Sequence, residues 1–304
     1  MIEFFEKLYF NPKFYHYIVA VILLPLSFFY GLVGFIKSLF AKPKDFRVKI
    51  VSVGNLVVGG SGKTPFAIEL IDYFSKKYKG KIFYISRGYG RYSKGLVEVK
   101  YNGEILVDVG LSGDEAMLVA KNTDANVIVS EDRADAIELA KVKGANLIIL
   151  DDAFSRVDID KFDILLYPEK IPNRFVLPSG PFREFAFAKR RADLIIKEGV
   201  DFNRVVEYKN LSSKMLLVVA IANANRLKRY LPDGVVGEYI LKDHSYFDKD
   251  DIVENMKRVG AKTILTTQKD MVKLEKFKLP LSLMELKLDI NRDKIKRVEE
   301  YYES

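Results

Sequence analysis

The sequence predicts an α/β protein: a mostly parallel sheet with helices on both faces, a second and smaller α/β domain, and a long hydrophobic helix at the N-terminus. Three observations carry this. Short apolar β-rich runs alternate with helical stretches after Arg47; a second such series begins after a polar stretch near residues 201 to 214; and the twenty residues from Tyr17 to Ile36 carry no charge.

The N-terminal run, YIVAVILLPLSFFYGLVGFI, would form a helix of roughly 30 Å at about 1.5 Å per residue, the thickness of a bilayer's hydrocarbon core. Lys37, Lys42, Lys44, Arg47 and Lys49 follow it, a cluster expected on the cytoplasmic side against anionic headgroups, with Tyr15, Tyr17 and Phe40 placed for the interface. A signal peptide would need a basic start and a small-residue cleavage site, whereas this start carries Glu3 and Glu6. A core helix is the competing reading, because Pro25 interrupts the run. Length and flanking charge favour the membrane.

The expected strands of the body lie at 48–54, 81–86, 126–130, 146–151, 163–167 and 193–197, each a continuous apolar run of the kind that a sheet covered on both faces produces. Between the first two, Phe66, Ala67, Leu70, Ile71 and Phe74 recur at helical spacing, so one face of that helix packs inward. VEVKYNGEILVD (97–108) reads as a hairpin turning at Asn102-Gly103. The second series lies at 215–223, 237–243, 262–270 and 281–290.

Composition narrows the chemistry. The chain has no Cys and two His, His16 and His244, which excludes disulfides, thiolate metal sites and a cysteine nucleophile and leaves oxygen ligands for any metal. A net charge of +8 suits phosphates, anionic lipid or nucleic acid, though on composition alone it reads as a solvated, lysine-rich surface; no recognised nucleic-acid module accompanies it.

The segment SVGNLVVGGSGKTP places Gly59, Gly60, Ser61 and Gly62 after a strand and Lys63-Thr64 at the start of a helix. Glycines let successive backbone N–H groups turn inward on phosphate oxygens, the helix N-terminus adds positive dipole, Lys63 reaches the terminal phosphates and Thr64 ligates magnesium. This is a P-loop NTPase-like cradle for nucleotide phosphates with Mg²⁺. The strict pattern asks for Gly at position 57, where this chain has Val57. NLIILDD ends a strand in Asp151 and Asp152, where a nucleotide-binding protein holds its magnesium.

With these residues the sequence resembles the tetraacyldisaccharide 4'-kinases of lipid A synthesis. The likeness runs through SVGNLVVGGSGKTP, ISRGYGR (85–91), GDEA (113–116), SEDR (130–133), LDDAF (150–154), LPSGPFRE (177–184), RRAD (190–193), IANANRLKRYL (221–231), DHSYF (243–247) and TTQKD (266–270), in order and over nearly the whole chain. The resemblance implies transfer of the ATP γ-phosphate to the 4'-hydroxyl of an anionic acylated disaccharide lipid at the cytoplasmic face of the inner membrane, with no obligatory protein partner and no nucleic acid. It implies that Lys63 and Thr64 serve the phosphates and the metal, that Asp151 and Glu115 are further metal carboxylates, and that Asp114 is the base, paired with His244. It adds Arg133 to the ATP site and Arg183 and Glu184 to the wider site, with Asn55, Arg87, Tyr89 and Asp152 as second-line contacts. Read alone, GDEA is a helix cap and His244 a surface histidine. Two departures stand out: Ala153-Phe154-Ser155-Arg156 where the family usually has Gly-Phe-Gln-His after its aspartates, and Ser179 where Ala is commoner, a change expected to be harmless.

The implied organisation is a membrane-associated segment at 1–44, a P-loop kinase domain at 45–205, a smaller α/β domain at 206–285 and a C-terminal helix at 286–304 packing on the kinase domain. The alternative is a membrane-associated P-loop ATPase or GTPase switch. Guanine reading would call for an N/T-K-x-D element, and the nearest candidate, TTQKD, has different spacing.

Overall fold

The computed structural model describes residues 2–221 and 224–304; Ala222 and Asn223 of the motif at 221–231 lie outside the described residues. In chain order the elements are α1 (Ile2–Phe10), α2 (Phe14–Leu39), β1 (Lys49–Gly54), α3 (Lys63–Lys77), β2 (Lys81–Ser86), β3 (Val97–Tyr101), β4 (Glu104–Ile105), α4 (Val109–Ser112), α5 (Asp114–Asn122), β5 (Asn126–Val129), α6 (Arg133–Val142), β6 (Ala145–Asp151), β7 (Phe162–Tyr167) and β8 (Leu194–Lys197). There follow β9 (Phe202–Lys209), β10 (Met215–Val219), β11 (Val235–Ile240), α7 (Lys249–Val259), β12 (Thr263–Thr267), α8 (Gln268–Leu274), β13 (Leu281–Ile290) and α9 (Arg292–Glu303).

The chain divides into two compact units: residues 1–67, 145–203 and 290–304 form one, and 68–144 with 204–289 form the other. In the first, four strands run in the order β6-β1-β7-β8, every neighbour parallel. Their side chains are buried almost throughout, which is why the sequence shows unbroken apolar runs rather than alternation. α9 closes this unit, its Tyr301 hydroxyl accepting the Ile50 N–H at 3.3 Å and its ring lying 5.1 Å from that of Phe162.

In the second unit β2 and β5 are parallel, β3 pairs antiparallel with β5, and β3 and β4 form the expected hairpin, with Asn102 at φ 49° and Gly103 at φ 89°. A five-stranded sheet follows in the order β11-β10-β12-β13-β9, with β10 parallel to both β11 and β12 and β12 parallel to β13. β9 occupies the polar stretch that the sequence reading used as a boundary. It is an edge strand in which only Phe202 is buried and the other residues are exposed or half-buried, so it lacks the apolar density that marks the others.

The uncharged N-terminal run lies in one continuous helix, α2, which is 26 residues long and passes through Pro25 without a break. At about 1.5 Å per residue it measures about 39 Å, long and apolar enough to cross a bilayer. A stripe of His16, Ala20, Ser27 and Gly31 is buried against the protein. Outside that stripe Ile18, Val21, Ile22, Leu26, Phe29, Val33 and Ile36 are exposed, a surface whose removal from water would contribute roughly 10 kcal/mol. The core-helix reading fails on that exposure. The small residues of the stripe admit close neighbours: a Cβ on Gly31 would lie 2.7 Å from the Phe185 ring. The Ser27 hydroxyl donates to Ser179 Oγ at 2.7 Å and accepts the Ser179 N–H at 2.9 Å. Ser179 therefore anchors α2, a role that its expected harmlessness did not suggest. α1, not anticipated from sequence, is fixed by Tyr9 donating to the Pro178 carbonyl and by Asn173 donating to that of Leu8.

Candidate active site

The phosphate loop begins where β1 ends. Gly54 is required there by packing, since a Cβ would stand 2.5 Å from the Phe154 Cβ. Asn55 follows, buried, donating from its amide nitrogen to the Val57 carbonyl at 2.7 Å and accepting from Lys63 Nζ at 3.4 Å, so it ties both ends of the loop. Val57, the departure from the strict glycine pattern, is buried in an apolar cluster with Leu56, Phe154, Val176 and Phe182, and it bridges to Phe182. The loop stem is braced by the segment 181–183, through Val58 N–H to the Pro181 carbonyl at 2.9 Å and Arg183 N–H to the Leu56 carbonyl at 2.8 Å. A side chain, not a glycine, suits position 57 for that reason.

Beyond the stem the backbone turns through Gly59 at φ 97° and Gly62 at φ 84°, the left-handed region that L side chains resist. α3 then starts at Lys63, so the positive end of its dipole lies at the loop. As expected, Phe66, Ala67, Leu70, Ile71 and Phe74 on α3 are all buried. The Ser61 hydroxyl is buried and, among the described residues, makes no hydrogen bond. Thr64 Oγ1 lies 3.4 Å from Asp151 Oδ2 at the C-terminal end of β6. Asp152, at φ 51°, receives Arg183 Nη1 on both carboxylate oxygens at 2.8 Å and has Lys63 Nζ at 3.6 Å. Glu184 is taken up by Arg191 at 2.6 Å. In the departure that follows Asp152, Ala153 and Phe154 are core residues, and Arg156 grips Asp158 through two hydrogen bonds of 2.9 and 2.7 Å. Those hydrogen bonds hold the Asp158 carboxyl down at about 2.

The second unit carries a separate cluster. α5 begins at Asp114 behind Gly113, whose φ of 81° and 2.8 Å clearance from the Tyr89 carbonyl leave no room for a side chain. Asp114 is 3% exposed; its Oδ1 accepts the Glu115 N–H at 2.9 Å, as a helix-starting aspartate does, and also faces His244 Nδ1 at 2.9 Å. His244 is held at φ 62°, its N–H donating to the Ala220 carbonyl at 3.2 Å and its ring meeting Tyr89 edge-on at 4.7 Å. It is not a surface histidine.

Two lysines on one face of α8 complete the cluster. Lys273, 1% exposed, sits 2.8 Å from Asp270 Oδ1 and 3.4 Å from Asp114 Oδ2, and donates to the Ser245 carbonyl at 3.1 Å. Lys269 lies 3.1 Å from Asp243 Oδ1, 3.2 Å from His244 Nε2, 3.5 Å from Glu115 and 3.9 Å from Asp114. Burial alone would raise the Asp114 pKa, but the His244 hydrogen bond and the charges of Lys269 and Lys273 outweigh it and hold the carboxyl below its ordinary value. For Lys269 burial works against the charge, and the surrounding Asp114, Glu115 and Asp243 reverse that and raise its pKa.

The structure thus brings Lys63, Thr64, Asn55, Asp151, Asp152 and Arg183 together in one unit, and Asp114, Glu115, His244 and Tyr89 together in the other. Arg87 is exposed, and the buried Arg133 at the start of α6 donates to the Ser130 carbonyl, both in the second unit. Sequence reasoning missed Asp243, Lys269, Asp270 and Lys273. Asp243, Lys269 and Asp270 lie within DHSYF and TTQKD, and Lys273, four residues after Lys269, shares its helix face, but the motifs alone do not say that these side chains turn inward.

Fold and cradle place the protein among the P-loop nucleotide-binding proteins, in which backbone N–H groups enclose phosphate oxygens at a helix N-terminus. Comparison with known proteins narrows the class. The family model for tetraacyldisaccharide-1-P 4'-kinase matches residues 19–212 and 202–301, and the chain belongs to that family. It is 45% identical over 297 residues to the tetraacyldisaccharide 4'-kinase of Aliarcobacter butzleri, covering 95% of this chain and 93% of that protein. It is 40% identical over 301 residues to the enzyme of the same name from Helicobacter pylori strain HPAG1, covering 98% and 94%. Its structure resembles that of LpxK from Aquifex aeolicus, crystallised in complex with ATP, with a TM-score of 0.78 at 27% identity, spanning 93% of this chain and 99% of that one.

Proposed function

We propose that this protein is an ATP-dependent lipid kinase that transfers the γ-phosphate to the 4'-hydroxyl of tetraacyldisaccharide 1-phosphate, giving the bisphosphorylated lipid A precursor. Family membership supports the reaction, and the buried Asp114–His244 pair is the observation that carries the chemistry. A carboxylate held ionised and oriented by an imidazole is suited to take the proton of an attacking hydroxyl. As the 4'-oxygen bonds to the γ-phosphorus, its proton passes to Asp114, the bond to the β-bridging oxygen breaks and ADP leaves.

The cradle fits the nucleotide: the positive-φ glycines turn N–H groups inward, and the buried Ser61 hydroxyl offers a donor. Thr64 and Asp151 fit a hard, oxygen-ligated cation, and these two oxygens match a Mg²⁺ that takes its remaining ligands from phosphates and water. Bound there, magnesium would neutralise charge on the terminal phosphates. Lys63 reaches the same phosphates, and Asp152 with Arg183 fixes the Lys63 ammonium. Asp270 offers a switch reading no support: it is 0% exposed and bound to Lys273 and the Ala220 N–H, which leaves no carboxylate to read guanine.

The lipid acceptor accords with the apolar face of α2, and the Lys37–Lys49 cluster supports a location at the cytoplasmic face of the inner membrane. The test is transfer from γ-labelled ATP to tetraacyldisaccharide 1-phosphate in mixed micelles. Labelled bisphosphorylated lipid from the intact protein, nearly abolished by Asp114→Ala, is expected; steady acceptor-independent ATP hydrolysis without labelled lipid would replace the kinase by an ATPase.

A further inference from the structure

We infer that Lys269 is a positioning residue that acts through His244, fixing its imidazole as the neutral tautomer protonated on Nδ1. The inference rests on the kinase reading only for its catalytic consequence; the tautomer follows from the geometry.

An ammonium has three donors and no acceptor. With Lys269 Nζ 3.2 Å from His244 Nε2, that nitrogen must present its lone pair. At the opposite side of the ring Nδ1 stands 2.9 Å from Asp114 Oδ1, a carboxylate oxygen that only accepts, so Nδ1 must carry the proton. The two ends of the ring assign the same tautomer independently. The arrangement is needed because Asp243 Oδ2 lies 3.5 Å from Nε2 and would accept a proton placed there. Lys269 reaches Asp243 Oδ1 at 3.1 Å and so occupies that carboxylate as well. The His244 backbone is pinned by its N–H to the Ala220 carbonyl at 3.2 Å and its ring packs edge-on against Tyr89 at 4.7 Å, which together limit how far the ring can turn toward another partner.

The consequence is a division of labour. With Nε2 closed by the ammonium, His244 cannot pass a proton outward; it donates to Asp114 and orients that carboxylate, which alone receives the hydroxyl proton. Without Lys269, Nε2 can be protonated toward Asp243. In the Nε2–H tautomer the Nδ1 lone pair would face the Asp114 carboxylate and push it out of place.

The sequence holds only two histidines, so ¹⁵N-histidine labelling of the full chain in detergent micelles gives two imidazoles, and the His244→Gln variant identifies which signals belong to His244. The wild type is expected to show a pyridine-like Nε2 and a pyrrole-like Nδ1 for His244. Lys269→Met should lose the pyridine-like Nε2 signal and lower kcat on the order of 10²-fold while leaving the KM for ATP unchanged. Lys269→Arg, which keeps a charged donor, should retain the wild-type signals and restore most of kcat. A wild-type His244 protonated on Nε2, or a Lys269→Met protein with unchanged His244 signals and kcat, overturns the inference. The wild-type spectrum decides the tautomer even if Lys269→Met does not fold, and it does so whether or not the lipid proves to be the acceptor.

Discussion

The phosphate cradle and the Asp114–His244 cluster are built in opposite ways. The cradle is local: six consecutive positions, 59 to 64, supply glycine turns, a helix start, a lysine and a threonine, and most of it is backbone. The cluster draws on residues 130 apart in sequence, and charged side chains dominate it, with the Ala220 and Ser245 carbonyls as backbone supports. A cradle made of backbone is protected against most substitutions but not against an added Cβ. A cluster of buried charges is exposed to the loss of any one member, because each charge is compensated only by the others.

The contrast can be broken most severely at Lys273. Lys273→Met leaves Asp270 as an uncompensated buried carboxylate, and a loss of about 3–5 kcal/mol in stability is expected, measured by urea unfolding. In the cradle, Lys63→Met should lower kcat/KM for ATP by about 10²- to 10³-fold through lost charge on the phosphates, with the unfolding midpoint unchanged. Gly54→Ala drives a Cβ into Phe154 and should cost about 1–3 kcal/mol, visible as a lower midpoint together with a raised KM for ATP. The smallest effect is expected at the α2 anchor, where Ser179→Ala removes one buried hydroxyl partner of Ser27 for about 1 kcal/mol; the Ser27→Ala, Ser179→Ala double variant should cost less than the sum of the singles.

The same contrast explains what could be read in advance. The strands of the first unit were visible because burial on both faces makes continuous apolar runs, and the cradle was visible because its chemistry is contiguous. β9 was not, since an edge strand with half-buried residues resembles a linker. Val57 looked like a flaw in a pattern until its side chain was found in the cluster under the loop. Lys269 and Lys273 stood inside or beside quoted motifs, yet nothing local says that two lysines on a short helix turn inward. That follows only once Asp114, Asp243 and Asp270 surround them. Ser179 is similar, since a serine gains meaning from Ser27, 152 positions away.

The central claim is that nucleotide binding and proton removal are separate duties of these two sites. Measuring MgATP affinity by calorimetry and single-turnover transfer to tetraacyldisaccharide 1-phosphate on the same Asp114→Asn preparation tests it most directly. The account predicts an ATP affinity within about twofold of wild type and a transfer rate lowered about 10³-fold. Transfer at the wild-type rate, or ATP affinity lost together with transfer, would contradict it.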